Sequence, residues 1–536
     1  MAKTYGTPVY SADGVVAAPH YLASLAGVDV LRDGGSAVDA AIAANLVLGV
    51  VWPHMCGPGG DLFAQVWNSS DEGPIGLNAS GRAGGGMSVD AYRAKGLTAM
   101  PSRGPLSVTV PGAVDGWFAL HQRFGRLDLG RVARDAVHHA RNGFRLTAYT
   151  SSAIRANAEL LAKVGNGVHV FMPGGRAPAA GEPLVQPDLA HTLERLVHDG
   201  PSVMYRGALG ERIVSFLREN GAGLQAEDFA AQKSEWVAPL SVVYRGVDVT
   251  QIPPNSQGVT LLQILSMLAD ADLTAWGQNS AELIHQLVER KRLVFADRDA
   301  LVADPTCTDV PVERLLDKDR AVALAAQIGP RAAKLGQPRD QRAMAGDTVY
   351  LCAADRDGMV VSLIQSLYSG FGSGVHVPGT GITLHNRGFG FTLEAGHPNA
   401  LAPGKRPMHT LMPGLALRDG KPWLAFGTRG ADGQPQTGLQ ILTKLLDWRL
   451  DLQSAVETPR WAHGAPGGQY PPTALVVESR FGPAVADDLA GRGHEVVLAD
   501  PVDPVMGTVQ LIQVDAERGC YIGASDPRGD GVALAL

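Results

Sequence analysis

The sequence predicts an α+β protein, and three observations carry that prediction. Helical spacing of apolar residues dominates the first two-thirds of the chain, β-rich runs dominate the part that starts at Thr348, and a polar stretch at 330–346 lies between them. In chain order, residues 8–16 read as a short strand. Tyr21 to Leu31 has helical spacing and is closed by Asp33-Gly34-Gly35. Ser36 suits the N-cap of the next helix, Ala37 to Val51, and Asp39 adds negative charge to its first turn. That helix is apolar nearly all round, which predicts burial. Pro53 and Gly57-Pro58-Gly59-Gly60 end it, and Leu62 to Trp67 follows as a strand. The glycine run reads as the turn between them rather than as a ligand loop.

Residues 115–235 are rich in helical pattern, as at Leu129–Asn142 and Leu189–His198. Val242 to Ile252 alternates like strands, and a long helix is predicted from Ser280 to Ala300. After the 330–346 linker, Thr348–Ala354 and Met359–Gln365 form two β-rich runs joined by Asp355-Arg356-Asp357-Gly358, a hairpin signal. Further strands are expected at Gly414–Leu417, Trp423–Phe426, Ala474–Glu478, Glu495–Leu498 and Gly507–Val514, with helices at Thr437–Leu446 and Pro483–Gly491.

Composition narrows the function. Hydrophobic residues at 45% against 18% charged suit a large buried core and argue against disorder. A net charge of −7 and a pI near 6.1 give no basic patch for nucleic acid or an anionic membrane. The longest apolar stretch, Ala40 to Trp52, is about 13 residues, too short to span a bilayer. Four cysteines, none at CxxC spacing, exclude a zinc ribbon or thioredoxin motif and suit reduced, buried thiols. With no apolar signal segment at the N-terminus, the expected location is cytoplasmic. No metal or cofactor is expected.

The chemistry is narrowed by elimination. There is no Gly-x-Ser-x-Gly elbow, no His-Glu-x-x-His and no phosphate-binding Gly-x-x-x-x-Gly-Lys-[Ser/Thr]. What remains is Gly346-Asp347-Thr348, a hydroxyl residue where a polar linker meets a hairpin. A threonine opening a strand is ordinarily only a strand former.

Here the chain resembles the gamma-glutamyltranspeptidase family, over nearly its full length. The resemblance rests on Asp33-Gly34-Gly35-Ser36-Ala37-Val38-Asp39, Pro53-His54-Met55-Cys56-Gly57-Pro58-Gly59-Gly60, Val110-Pro111-Gly112 and Pro253-Pro254-Asn255-Ser256-Gln257-Gly258. It continues through Phe295-Ala296-Asp297-Arg298-Asp299, Gly346-Asp347-Thr348, Gln365-Ser366-Leu367-Tyr368 and Gly370-Phe371-Gly372-Ser373-Gly374. Gly379-Thr380-Gly381-Ile382, Lys405-Arg406-Pro407-Met408-His409-Thr410 and Gly427-Thr428-Arg429-Gly430-Ala431 complete it. It implies an αββα four-layer sandwich of the N-terminal-nucleophile hydrolase type and a precursor that cuts itself before Thr348. The large subunit would be 1–347 and the small one 348–536, forming one intertwined domain and a heterodimer, with a dimer of these also open. Thr348 would be nucleophile and, through its freed α-amino group, base; an amine with a pKa near 7.7–8.0 suits that task at neutral pH. The family's Gly-Gly oxyanion pair becomes Gly430-Ala431, preceded by Arg429 where proline is common.

The departures bear on the substrate, a small-molecule amide. In Leu77-Asn78-Ala79-Ser80-Gly81-Arg82, Ser80 stands where glutathione-binding enzymes carry an arginine for the glutamyl α-carboxylate. Their acidic pair after an asparagine is missing, since Asn386 is followed by Arg387, Gly388, Phe389 and Gly390. Paired serines become His409-Thr410, and an asparagine becomes Tyr368. Ser80, Arg82, Ser366, Tyr368, Arg387, His409 and Thr410 are therefore the candidate substrate residues. A cation at Arg387 should repel an ammonium and attract an anion, which points to an acyl group with a carboxylate and no α-amino group. Such acyl groups place the chain nearer the oxamate amidohydrolase and cephalosporin acylase branches. Plainer readings stand beside these: Arg387 paired with a structural acid, His409 a core histidine, Ser366 and Tyr368 packing residues, Cys56 and Cys352 buried small hydrophobes. Gamma-glutamyl transfer or glutathione hydrolysis, a biosynthetic C–C bond hydrolase and an unprocessed, non-catalytic homologue are the competing functions.

Overall fold

A computed structural model describes residues 5–333, 347–464 and 469–536. Of the predicted linker, everything from 334 to 346 lies outside the described residues.

Two seven-stranded sheets form the centre. One runs, edge to edge, through Val9–Ser11, Cys520–Ser525, Val509–Asp515, Lys421–Thr428, Gly414–Arg418, Val247–Gln251 and Leu240–Tyr244. The other runs through Val532–Ala535, Gly14–Ala18, Asp347–Asp355, Val360–Tyr368, Asp61–Trp67, Ile75–Ala79 and Glu235–Val237. Tyr350, Cys352, Ala354, Phe63, Leu415, Ala425 and Ile512 meet between the sheets as one apolar layer. The outer face of the second sheet is covered by helices that include Tyr21–Arg32, Ala37–Val51 and Ala113–Phe124. The outer face of the first is covered by Gly258–Met267, Ala281–Leu301 and Gly433–Leu446. This is the αββα sandwich that the resemblance implied.

Local chemistry explains the elements nearest the site. Ser36 and Asp39 form a reciprocal capping box, Ser36 Oγ accepting from the Asp39 N–H and Asp39 Oδ2 from the Ser36 N–H, both at 3.0 Å. The helix they start is buried at all of its residues from Ala37 to Val51. The Gly57–Gly60 run then turns the chain into Asp61–Trp67. A methyl at Gly59 would come 2.1 Å from the Thr383 carbonyl oxygen, and one at Gly60 2.6 Å from that of Ser366. The run is thus also a close backbone contact beneath the hairpin.

Several boundaries differ from the sequence reading. Residues 8–16 are two strands in different sheets, Val9–Ser11 and Gly14–Ala18. The strands Ile75–Ala79, Cys520–Ser525 and Val532–Ala535 were not expected; the last pairs with Gly14–Ala18. Cys56 and Cys352 are buried, and burial pushes both thiols up, but Cys307 is exposed and Cys520 half-buried, so the expectation of four buried thiols is corrected. Among the described residues, no helix is long and apolar enough to cross a membrane.

Candidate active site

The hairpin Asp347–Asp355/Val360–Tyr368 carries the first residues of the site. Its register shifts between Asp347 and Val349, so Thr348 sits on a bulge at the strand's start. Thr348 is buried, and its Oγ1 donates to Ser366 Oγ at 3.0 Å. Ser366 Oγ in turn donates to the Asp347 carbonyl at 2.8 Å and accepts from the Tyr368 N–H at 2.7 Å. With two donors arriving at Ser366 Oγ, its own proton must point to the Asp347 carbonyl. One hydroxyl therefore contacts both the candidate nucleophile and the carbonyl of the Asp347–Thr348 bond.

Gly430 and Ala431 follow the strand Lys421–Thr428 in left-handed backbone, φ 119° and 44°. Ala431 packs with Tyr368 and Phe389. Gln257 Nε2 holds the turn by donating to the Ala431 carbonyl at 3.0 Å and to the Thr410 carbonyl at 2.9 Å. Arg298 fixes Gln257 Oε1 and Asp432 from behind, each at 2.8–2.9 Å. The carbonyls of Gly430 and Ala431 accept from Gly433 and Gln434, which tightens the turn.

The third group surrounds Arg387, which is fully buried. Its guanidinium lies 3.9 Å over the Tyr368 ring, and Nη1 donates to Thr410 Oγ1 at 3.2 Å. Nε stands 3.8 Å from Asp61 Oδ2, too far for a hydrogen bond, and neither Nε nor Nη2 meets an acceptor among the described residues. Burial pulls Arg387 down to about 10, so it remains charged at neutral pH.

Asp61 is the acid that faces it. It opens the strand Asp61–Trp67 directly opposite Ser366. Its Oδ1 accepts from the N–H groups of Gly81 and Gly112 at 3.1 and 3.2 Å. Burial nonetheless raises it to about 7, against the downward pull of Arg387 and the two N–H groups. His409 Nε2 lies 3.1 Å from Asp61 Oδ2, while Nδ1 accepts from the Leu411 N–H at 3.2 Å. The Nε2–H tautomer follows. Burial and then Arg387 hold this imidazole neutral, well below the usual histidine range.

The structure thus brings Thr348, Ser366, Tyr368, Arg387, His409, Thr410, Gly430 and Ala431 into one connected cluster. Ser80 adjoins it: Ser80 Oγ donates to Asn78 Oδ1 at 2.7 Å, and the next residue is the Gly81 that caps Asp61. The Arg82 side chain turns elsewhere, to Asp304, Glu235, Thr306 and the Gly404 carbonyl at 3.0–3.3 Å. Sequence reasoning missed Asp61 and Gln257. Neither residue carries a spacing in the sequence that marks its partners.

By fold and by relatives this is a hydrolase of the N-terminal-nucleophile type, an amidohydrolase by class. The chain belongs to the gamma-glutamyltranspeptidase family, whose pattern matches residues 23–536. It is 43% identical to the "Glutathione hydrolase-like YwrD proenzyme" of Bacillus subtilis (strain 168), over 97% of this chain and 98% of that one. It is 37% identical to the "Oxamate amidohydrolase proenzyme" of Klebsiella pneumoniae, over 98% of each. A cephalosporin acylase from Bacillus halodurans superposes with a TM-score of 0.92 at 35% identity, covering 100% of this chain and 98% of that one.

Proposed function

We propose that the chain is a proenzyme that cuts itself between Asp347 and Thr348, and that the mature enzyme hydrolyses amides of a small acyl group bearing a carboxylate but no α-amino group. In maturation, Thr348 Oγ1 attacks the Asp347 carbonyl carbon, the C–N bond breaks, and the resulting ester is hydrolysed by water. Products are a large subunit of 1–347 and a small subunit of 348–536 with a free α-amine. That amine then takes the Oγ1 proton as the hydroxyl attacks a substrate amide, and it returns the proton to the leaving amine. The acyl-enzyme ester is released by water. Gly430 and Ala431 supply N–H groups to the oxyanion.

The observation that carries the acyl specificity is Arg387, a buried cation with two N–H directions unpartnered among the described residues. Leaving such donors unsatisfied is costly, and a carboxylate satisfies two at once. Phe389 and Gly390 provide no acid for an ammonium group. The name of the oxamate amidohydrolase relative supports an acidic acyl group, and the word proenzyme in relatives' names supports the cut.

The test pairs glutaryl anilide with gamma-glutamyl anilide on the mature enzyme, alongside Thr348→Ala. Wild type should run as two bands on a denaturing gel and prefer the glutaryl amide. Thr348→Ala should remain one inactive band. Faster gamma-glutamyl hydrolysis overturns the specificity, and continued cleavage of the variant at the same bond overturns the nucleophile.

A further inference from the structure

We infer that His285, Glu289 and His494 form a binding site for a divalent transition-metal ion of the zinc class. None of the three belongs to the cluster around Thr348; they lie among the helices that cover the outer face of the first sheet.

His285 and Glu289 stand about one turn apart on the helix Ala281–Leu301, so their side chains share a face. His494 lies between the helix Pro483–Gly491 and the strand Glu495–Ala499, and its N–H donates to the Leu489 carbonyl at 3.2 Å. All three side chains are buried. One ligand atom from each lies within 4.8 Å of the other two, the one such group among the described residues. The two histidines are 209 residues apart in the chain, which is why spacing in the sequence predicted no metal.

The hydrogen bonds around the group orient its lone pairs. His285 Nε2 lies 2.8 Å from the Gly329 carbonyl, which can only accept, so that nitrogen carries the proton. Nδ1 therefore presents a lone pair, aimed at His494 Nε2 at 2.9 Å. A metal-ligating histidine is held in this way, its other ring N–H given to a carbonyl or carboxylate. The rings meet edge to face, with centres 5.2 Å apart and planes at 66°. As the atoms stand, His494 Nε2–H donates to the His285 lone pair. Moving that proton to the other His494 nitrogen makes both facing nitrogens ligands without changing charge. Glu289 Oε1 accepts from Arg292 Nη1 at 2.7 Å, and Oε2 accepts from the Ala333 N–H at 2.9 Å. A carboxylate oxygen has two lone pairs, so each keeps one for an ion. Arg292 also donates to the Ala333 carbonyl at 2.7 Å, while Arg492, near His494 in the chain, is paired with Glu282 and Asp488.

The donor set names the ion. Two imidazoles and one carboxylate suit zinc, whereas calcium and magnesium take oxygen ligands. Bonds of about 2.0–2.1 Å to a tetrahedral ion place two nitrogens roughly 3.3 Å apart, so the 2.9 Å pair opens by roughly 0.4 Å. Three protein ligands leave the fourth position to water. Gly329 and Ala333, which hold His285 and Glu289, lie in the last described stretch before residue 334. The ion thus ties that stretch and His494 to one helix.

The experiment strips the untagged full chain with a chelator, removes the chelator, and titrates zinc chloride or cobalt chloride into wild type and His494→Gln. Glutamine offers an N–H to His285 Nδ1, so the hydrogen bond can persist while the imidazole ligand is lost. Wild type should retain one zinc per chain after gel filtration, read by elemental analysis. Cobalt should give the intense visible bands of a four-coordinate ion. His494→Gln should lose those bands and bind zinc at least about 100-fold more weakly, since losing an outer hydrogen bond alone costs a metal site about 10–100-fold. Wild type without stoichiometric zinc, a cobalt spectrum no stronger than that of the hydrated ion, or unchanged binding in His494→Gln overturns the site. If that variant fails to fold, Glu289→Gln takes its place with the same two outcomes, and the wild-type cobalt spectrum still decides. Neither readout needs turnover, so failure of the amide reading leaves this result intact.

Discussion

Ser366 is one side chain with two neighbours that matter, the Thr348 hydroxyl and the Asp347 carbonyl. Removing its hydroxyl takes one donor from the carbonyl and the acceptor from the candidate nucleophile. Ser366→Ala should slow self-cleavage by roughly 10²-fold, the scale of losing one oxyanion donor, while Ser366→Thr should retain it. Timed denaturing gels of fresh protein measure this. Asp61 makes a prediction about pH. Its carboxyl, raised to about 7 by burial, is neutral below that value and charged above it, and it stands 3.8 Å from Arg387. His409 faces the same carboxyl and stays neutral throughout, and burial holds His385 down to about 3. Above the titration, the Asp61 charge competes with a substrate carboxylate for Arg387. The KM of a glutaryl amide should therefore rise between about pH 6 and pH 8, and Asp61→Asn should flatten the rise. A wild-type KM that is level across that range rejects the competition. At this scale the sequence was informative where a residue departs from a motif, as at Arg387 and Tyr368. It was silent on Asp61, because a single aspartate at the start of a strand carries no spacing that marks its partners.

Among the elements, the all-buried helix Ala37–Val51 supports the hairpin from below. Asn45 Nδ2, on that helix, donates to Gln365 Oε1, and Gln365 also pairs with the backbone of Gly57. The helix start is set by Ser36, and Asp39 Oδ2 additionally receives the N–H groups of Arg126 and Leu127. Ser36→Ala should cost about 1 kcal/mol, the usual loss for an N-cap, read as a lower thermal midpoint with KM unchanged. A shifted KM would mean that the cap reaches the site. Such elements were readable because their determinants are local: a cap, a 3.6-residue period, an Asp-Gly turn. Strands such as Val532–Ala535 were not, since four residues have little pattern and their partner lies about 500 residues earlier. The bulge at Thr348 was also hidden, because pairing register depends on Tyr368 across the hairpin.

For the whole molecule, the decisive fact is the strand order. In the second sheet Asp347–Asp355 lies between Gly14–Ala18 and Val360–Tyr368, and Val360–Tyr368 lies against Asp61–Trp67. Strands from both sides of the proposed cut interleave in this sheet, and the first sheet mixes them too. The two pieces should therefore stay together after cleavage. A matured sample should elute as one native peak at the 56.3 kDa of the uncut chain or a multiple of it, and separate only in denaturant. Elution of a free small subunit would refute this. The layer count was legible only through the resemblance, since alternation within strands does not say which strands become neighbours.

That interleaving also fixes the molecularity of refolding. Before the cut, the interleaved sheets assemble within one molecule, and the rate is independent of concentration. After it, two polypeptides must meet before either can complete a sheet, so recovery from denaturant becomes second order and falls with dilution. The peptide bond before Thr348 keeps assembly unimolecular; once the sheets are closed, strand pairing holds the two pieces that the proposed cut separates.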